Sequence, residues 1–226
     1  MTVSRPVPPP IDRWMNPVLG YAARDVTDAA RAAWDEERRA LGLVRSDADL
    51  ILSVDVTSWP SVLSDEQQVI VASPGDLELQ DLCPNLEKLR EGLTSIWCRE
   101  RPPPCWIVAV NVLTANWGEP ERAAWAHPHW VYYFSEVVPT KLDPSWSCLG
   151  YDVADDGLFS SMTTMGGDRH EIPRIRREWS RHLNCYNLFE DPRSAWEYKL
   201  FSDRWIKEHA PFFVYGLWQV QVHEAI

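Results

Sequence analysis

Along the chain, short runs with apolar residues at every second position alternate with stretches whose apolar residues recur every three or four. The strongest strand-like run is CWIVAVNVLT at 105–114, apolar on both alternating faces, the pattern of a central strand covered from both sides. HWVYYFSEVV at 129–138, CLGYDV at 148–153 and the late run 212–222 read the same way. In that last run Phe212, Val214, Trp218, Val220 and Val222 fall on one face and Phe213, Tyr215 and Leu217 on the other. Earlier, DLILSVDV at 49–56 and QVIVAS at 68–73 are β-branched enough to predict two further strands.

Helical spacing predicts the other elements. Val26, Ala30, Ala33 and Leu41 recur between Asp25, a candidate N-cap, and Gly42, a candidate C-cap. The Ser73-Pro74-Gly75-Asp76 segment opens a brief helical turn that Pro84 ends, and a second helix is predicted from Pro84 to about Trp97, burying Leu86, Leu89, Leu93 and Trp97. Three more are predicted over 156–165 after Asp155, over 172–184 with Ile172, Ile175, Trp179 and Leu183 on one face, and over 192–207 with Trp196 and Leu200 together. Strands early and late with helices between them favour an α+β fold, a mixed and largely antiparallel sheet with helices packed on it, over a doubly wound parallel one.

The domain reading is a Pro-rich N-terminal arm at 1–20, where Pro6, Pro8, Pro9 and Pro10 discourage helix, followed by one α+β domain at 21–226. A chain of 226 residues with 45% hydrophobic content is long enough to bury a substantial core. No run resembles a signal peptide and none approaches the roughly 18 consecutive apolar residues of a membrane span, so a cytoplasmic protein with no membrane partner is expected.

Charge and aromatic content narrow the classes of partner. The net charge is -11, and the acid excess is concentrated early: residues 25–100 hold 16 acidic and 7 basic side chains, residues 101–226 hold 16 and 12. Such a field repels duplex nucleic acid and anionic membranes and speeds encounter with a basic partner; it also serves solubility. Thirteen Trp against seven Tyr and six Phe is an inverted aromatic balance. Trp anchors both cores and interfaces, and the apolar settings of Trp106, Trp130 and Trp218 place them with the core.

Candidate chemistry is sparse. The phosphate-loop, dinucleotide, zinc-protease and nucleophile-elbow motifs are missing, and five cysteines without a CxxC pair suggest buried thiols rather than a zinc ribbon or a disulfide framework. His127-Pro128-His129 places two imidazoles on one face of an extended segment, a weak candidate for a metal that Glu136 would have to complete; the plain alternative is a loop with two surface histidines. A pairing of Cys148 or Cys185 with His170 or His182 is conceivable but has no support in spacing. Arg174, Arg177 and Arg181 form a basic ridge able to hold a phosphate or carboxylate; the plainer and commoner reading is a solvated face or internal pairing with acids such as Glu178. Tyr151-Asp152-Val153-Ala154-Asp155-Asp156 is the densest acidic cluster at a strand end; Asp155 and Asp156 suit the cap and dipole of a following helix, which leaves Asp152 without an evident local task. No residue is assigned as catalytic, no metal or cofactor is assigned, and a non-enzymatic protein is expected.

Cys148-Leu149-Gly150-Tyr151-Asp152-Val153-Ala154-Asp155, Asn187-Leu188-Phe189-Glu190-Asp191 and His209-Ala210-Pro211-Phe212-Phe213-Val214-Tyr215-Gly216 resemble segments of uncharacterised bacterial proteins associated with immunity to polymorphic toxins. The resemblance covers roughly the last third of the chain. It implies a cytoplasmic protein that binds and blocks one cognate toxin, and it transfers no site residues. On physical grounds Trp146, Tyr151, Asp152 and Asp156 are the first partner-binding candidates, an aromatic and acidic set suited to a basic toxin. Competing expectations are a metal-dependent hydrolase using His127 and His129, and a scaffold subunit presenting Pro6–Pro10 to an aromatic groove.

Overall fold

In the computed structural model the described residues are 14–15, 18–25, 82–97, 105–115, 142–155, 158, 160–161, 175, 178–207 and 210–220, with positions 32 and 36 described as helical. The strands expected at 49–56, 68–73 and 129–138, and most of the helix expected at 25–41, lie outside them.

The frame is one antiparallel sheet built around β3 (Cys105–Ala115). On one side β3 pairs with β1 (Trp14–Met15) near its end and with β2 (Val18–Asp25) along the rest; on the other it pairs with β5 (Phe213–Val220), which pairs with the edge strand β4 (Ser147–Ala154). Helices α1 (Leu86–Trp97) and α2 (Pro192–Trp205) pack on this sheet, an α+β arrangement. The registers Ile107↔Val220, Ala109↔Trp218, Asn111↔Gly216 and Leu113↔Val214 put these residues on one face. α1 covers one end of that face, where Leu89 and Leu93 join Tyr21, Ala23, Ile107, Ala109 and Val220. α2 covers the other end, where Ala195 and Tyr198 join Leu113, Val153, Phe189 and Val214. The opposite face buries Leu19, Val110, Val112, Phe213 and Tyr215 against Leu82 and Leu158, and Val108, Leu149 and Leu217 against Leu188. Burial on both faces is why β3 is apolar at almost every position.

Local signals explain the helix ends. Asn85 Oδ1 accepts from the backbone N–H groups of Glu87 and Lys88 at 2.9 and 3.1 Å and so caps α1, which starts at Leu86, two residues after Pro84. Asp191 caps α2 through Arg193 and Ser194, with Pro192 in the first turn, where its missing N–H is harmless. Full burial of Leu89 and Leu93 contributes roughly 2 kcal/mol each.

Both outer strands are covered in part by single bridges. Tyr21 exchanges two backbone hydrogen bonds of 2.8 Å with Cys83, and Tyr151 exchanges two, of 2.9 and 2.8 Å, with Phe189. The second contact requires Gly150: its φ is 139°, and a Cβ there would stand 2.6 Å from the Leu188 Cβ.

Several sequence expectations are corrected. Residues 14–15 and 18–20, within the expected arm, belong to the sheet, and Asp25 ends β2 rather than capping a helix at that residue. VLGYAARD is poor in β-branched residues after Val18, so β2 lacks the expected composition; its small Ala22 and Ala23 suit a strand buried on both faces. The helix expected over 156–165 is not formed at 158 or at 160–161: Ser160 bridges back to Ala154, and Ser161 donates through N–H and hydroxyl to the Val153 carbonyl. Within the helix expected over 172–184 the described positions 175, 178 and 179 are helical; only its end departs, tightening into a 3-10 turn at Ser180–His182 with Leu183 pairing with Phe189.

Candidate functional site

Between the parts of the sheet under α1 and α2 runs a cross-strand row: Asn111, Gly216 and Tyr151, flanked by Trp218 and Cys148. The elements place these residues with little freedom, because they lie on three paired strands and alternate with core residues.

Asn111 sits at the middle of β3 and is fully buried. Its Oδ1 accepts from the Trp218 indole Nε1–H at 2.6 Å, and its Nδ2 has no hydrogen-bond partner. Gly216 lies opposite, and any Cβ there would approach Asn111 Oδ1 to 2.4 Å and Trp218 Nε1 to 2.9 Å, so the amide–indole pair occupies the space a side chain would need. Trp218 is half-buried, and its register partner on the edge strand, Cys148, is exposed.

Tyr151 is half-buried beside the α2 core and hydrogen-bonds to the Cys148 thiol. Burial pushes its hydroxyl well above the usual phenol range, with Cys148 and the Asp191 carboxylate adding to the effect. Cys148 is likewise pushed up, by desolvation of its thiol where it lies against Tyr151, although the residue as a whole is open to solvent; the bond to Tyr151 and one to Gly150 oppose the shift. Cys148 is therefore a protonated thiol at neutral pH rather than an activated nucleophile.

Trp146 is half-buried and meets Tyr21 edge-on, ring centroids 5.9 Å apart, so it joins the rim of the α1 cluster. Asp152 lies on the opposite face and is buried. Its Oδ1 accepts from the Val153 N–H at 2.8 Å and the Ser160 hydroxyl at 2.9 Å, so it has the local task that its sequence setting does not reveal. The structure therefore groups Trp146 and Tyr151 on the helical face and separates Asp152 from them; Asp156, His127 and His129 lie outside the described residues.

His182 has partners other than a thiol. Arg181 Nε donates to its Nε2 at 3.2 Å, and its Nδ1 lies 3.4 Å from the Ser194 hydroxyl, which in turn bonds Asp191. Arg181 is exposed, and Arg174 and Arg177 lie outside the described residues. Among the described residues no group of three or more His, Cys, Asp and Glu side chains is placed to hold a metal ion, and no helix is long and apolar enough to cross a membrane.

The tryptophans depart most from expectation. Trp106 and Trp218, assigned to the core by their apolar neighbours, are half-buried, and none of the described tryptophans whose environment is given is fully buried. Trp97, Trp146 and Trp218 rim the α1 cluster, and Trp179, Trp196 and Trp205 rim the α2 cluster. Trp106 is on the other face, edge-on to Tyr186 at 5.8 Å. Asn111 was not singled out from sequence, and Trp218 was read only as core; the signal available for their pairing was a polar residue and a glycine within otherwise apolar strands. Comparison with protein-family models, curated proteins and solved structures returns no match.

Proposed function

We propose that this chain is an acidic binding protein that neutralises a cognate, basic protein toxin by direct contact, as an immunity partner does. The observation that carries this reading is the placement of partly buried tryptophans at the rims of the core clusters on the helical face of the sheet. Interfaces take many of their anchors from Trp and Tyr in well-packed positions. The net charge of -11 supplies long-range attraction for a basic partner, and Trp146 and Tyr151 lie on the proposed binding face.

Co-expression with the product of the adjacent upstream gene tests the reading. Restored growth of the host together with a purified stoichiometric complex is the expected result. A harmless neighbour, or a toxic one that forms no complex, overturns it.

A further inference from the structure

An edge strand ends a sheet with a row of N–H and C=O groups that a strand of another chain can join. β4 is such a strand, and SCLGYDVA contains neither the lysine nor the proline that commonly discourages joining. Its backbone groups are instead taken one at a time. Leu149 is the extra residue of a bulge between the pairs Cys148↔Trp218 and Gly150↔Leu217, and its carbonyl accepts from Asn184 Nδ2 at 2.6 Å. Two residues on, Tyr151 exchanges both backbone hydrogen bonds with Phe189. At Val153 the N–H donates to Asp152 Oδ1, and the carbonyl accepts from the N–H and hydroxyl of Ser161 at 2.7 and 2.8 Å. These partners are a side chain of β4 itself and two separate segments, 160–161 and 184–189. A further strand would only move the open edge outward, whereas isolated contacts close it.

Asn184 organises the longer of the two segments. While its Nδ2 reaches Leu149, its Oδ1 accepts from the N–H groups of Tyr186 and Leu188 at 2.9 and 3.3 Å, and its own N–H donates to the Leu188 carbonyl at 2.8 Å. The turn lies so close to β4 that a Cβ at Gly150 would stand 2.9 Å from Asn184 Nδ2 and 3.0 Å from the Phe189 carbonyl oxygen. We propose that Asn184 guards the β4 edge, holding 184–189 against it so that β4 of a second copy cannot add to the sheet. Two copies of one edge strand can meet antiparallel about a twofold axis, the pairing used throughout this sheet, so a second copy is the occupant kept out. The proposal stands apart from the toxin reading and needs no partner protein.

Asn184→Asp separates the two tasks of this side chain. Carboxylate oxygens still accept from Tyr186 and Leu188, but the Leu149 carbonyl loses its donor and faces an anion. By sedimentation velocity the full-length wild type is expected to remain monomeric as concentration rises, and Asn184→Asp to shift toward dimer, with faster hydrogen exchange at the Tyr151 N–H. Adding Ser147→Lys, at an exposed position on the edge strand, should return the variant to monomer, because a lysine there opposes strand addition. A folded Asn184→Asp that stays monomeric overturns the proposal. So does a wild type already dimeric that Ser147→Lys makes monomeric. Association of the variant that Ser147→Lys leaves unchanged also overturns it, since that is general exposure of apolar surface rather than edge pairing. Should Asn184→Asp not fold, exchange of the Tyr151 N–H in the wild type decides: strong protection supports a closed edge, and exchange at the rate of an open amide overturns it.

Discussion

Asp152 and Asn111 are both buried polar side chains in the same sheet, one on each face, and they are used in opposite ways. Asp152 accepts from its neighbour's backbone and from Ser160, stitching the returning segment 160–161 to β4. Asn111 instead accepts from the indole of a partly buried Trp on the neighbouring strand. The first arrangement stabilises a connection. The second ties an indole at the rim of the α1 cluster to the centre of the sheet. Burial and polarity alone do not distinguish the two roles; the identity and exposure of the hydrogen-bond partner do.

The contrast can be broken by substitution. Asp152→Ala removes two hydrogen bonds to a buried carboxyl and is expected to cost about 3 kcal/mol in denaturant unfolding. Gly216→Ala drives a methyl group into the Asn111–Trp218 pair and is expected to cost about 2 kcal/mol by the same measurement. Adding Asn111→Ala to that variant should restore about 1 kcal/mol, since the clash is with the amide. Additive losses would show that the crowding lies elsewhere. Ser160→Ala removes one of the two Asp152 bonds and is expected to cost about 1 kcal/mol.

A smaller effect is expected at alkaline pH. Burial raises Cys105 to about 11, with Asp25 adding to the shift, and the Tyr21, Tyr151 and Cys148 groups are also raised. Each is neutral when protonated and holds its proton more tightly folded than unfolded. Their contribution is therefore complete below the unfolded values and is lost as pH rises through the folded ones. Chemical unfolding should show stability falling between pH 9 and about 11, and Cys105→Ser should flatten that decline. A stability that stays level to pH 11 would contradict the burial of these groups.

The sheet's central and late strands were legible in the sequence because burial on both faces leaves an apolar run with few alternatives, as in CWIVAVNVLT and FVYGLWQV. Helices α1 and α2 were legible from the spacing of Leu86, Leu89 and Leu93 and of Trp196 and Leu200. β2 was not, because its strand state is imposed by neighbours on both sides rather than by its own Gly and Ala residues. The 156–165 stretch carried a plausible cap in Asp155, yet pairing of Ser160 with Ala154 prevails over that local signal. At the candidate site, Trp146 and Tyr151 were identified as aromatic candidates, whereas Asn111 and Trp218 look like core until the register Asn111↔Gly216 brings them together. Apolar neighbours in sequence say which strand a Trp belongs to, not how much of its ring a helix above that strand leaves open.

The most direct test of the account is oxidative footprinting of the tryptophans, read by mass spectrometry in the free chain and in complex with the co-expressed neighbour. Protection of Trp218 and Trp146 with Trp106 unchanged is the expected result, since the first two rim the helical face and the third lies on the other. A complex that protects Trp106 and leaves Trp218 as reactive as in the free chain would contradict the account.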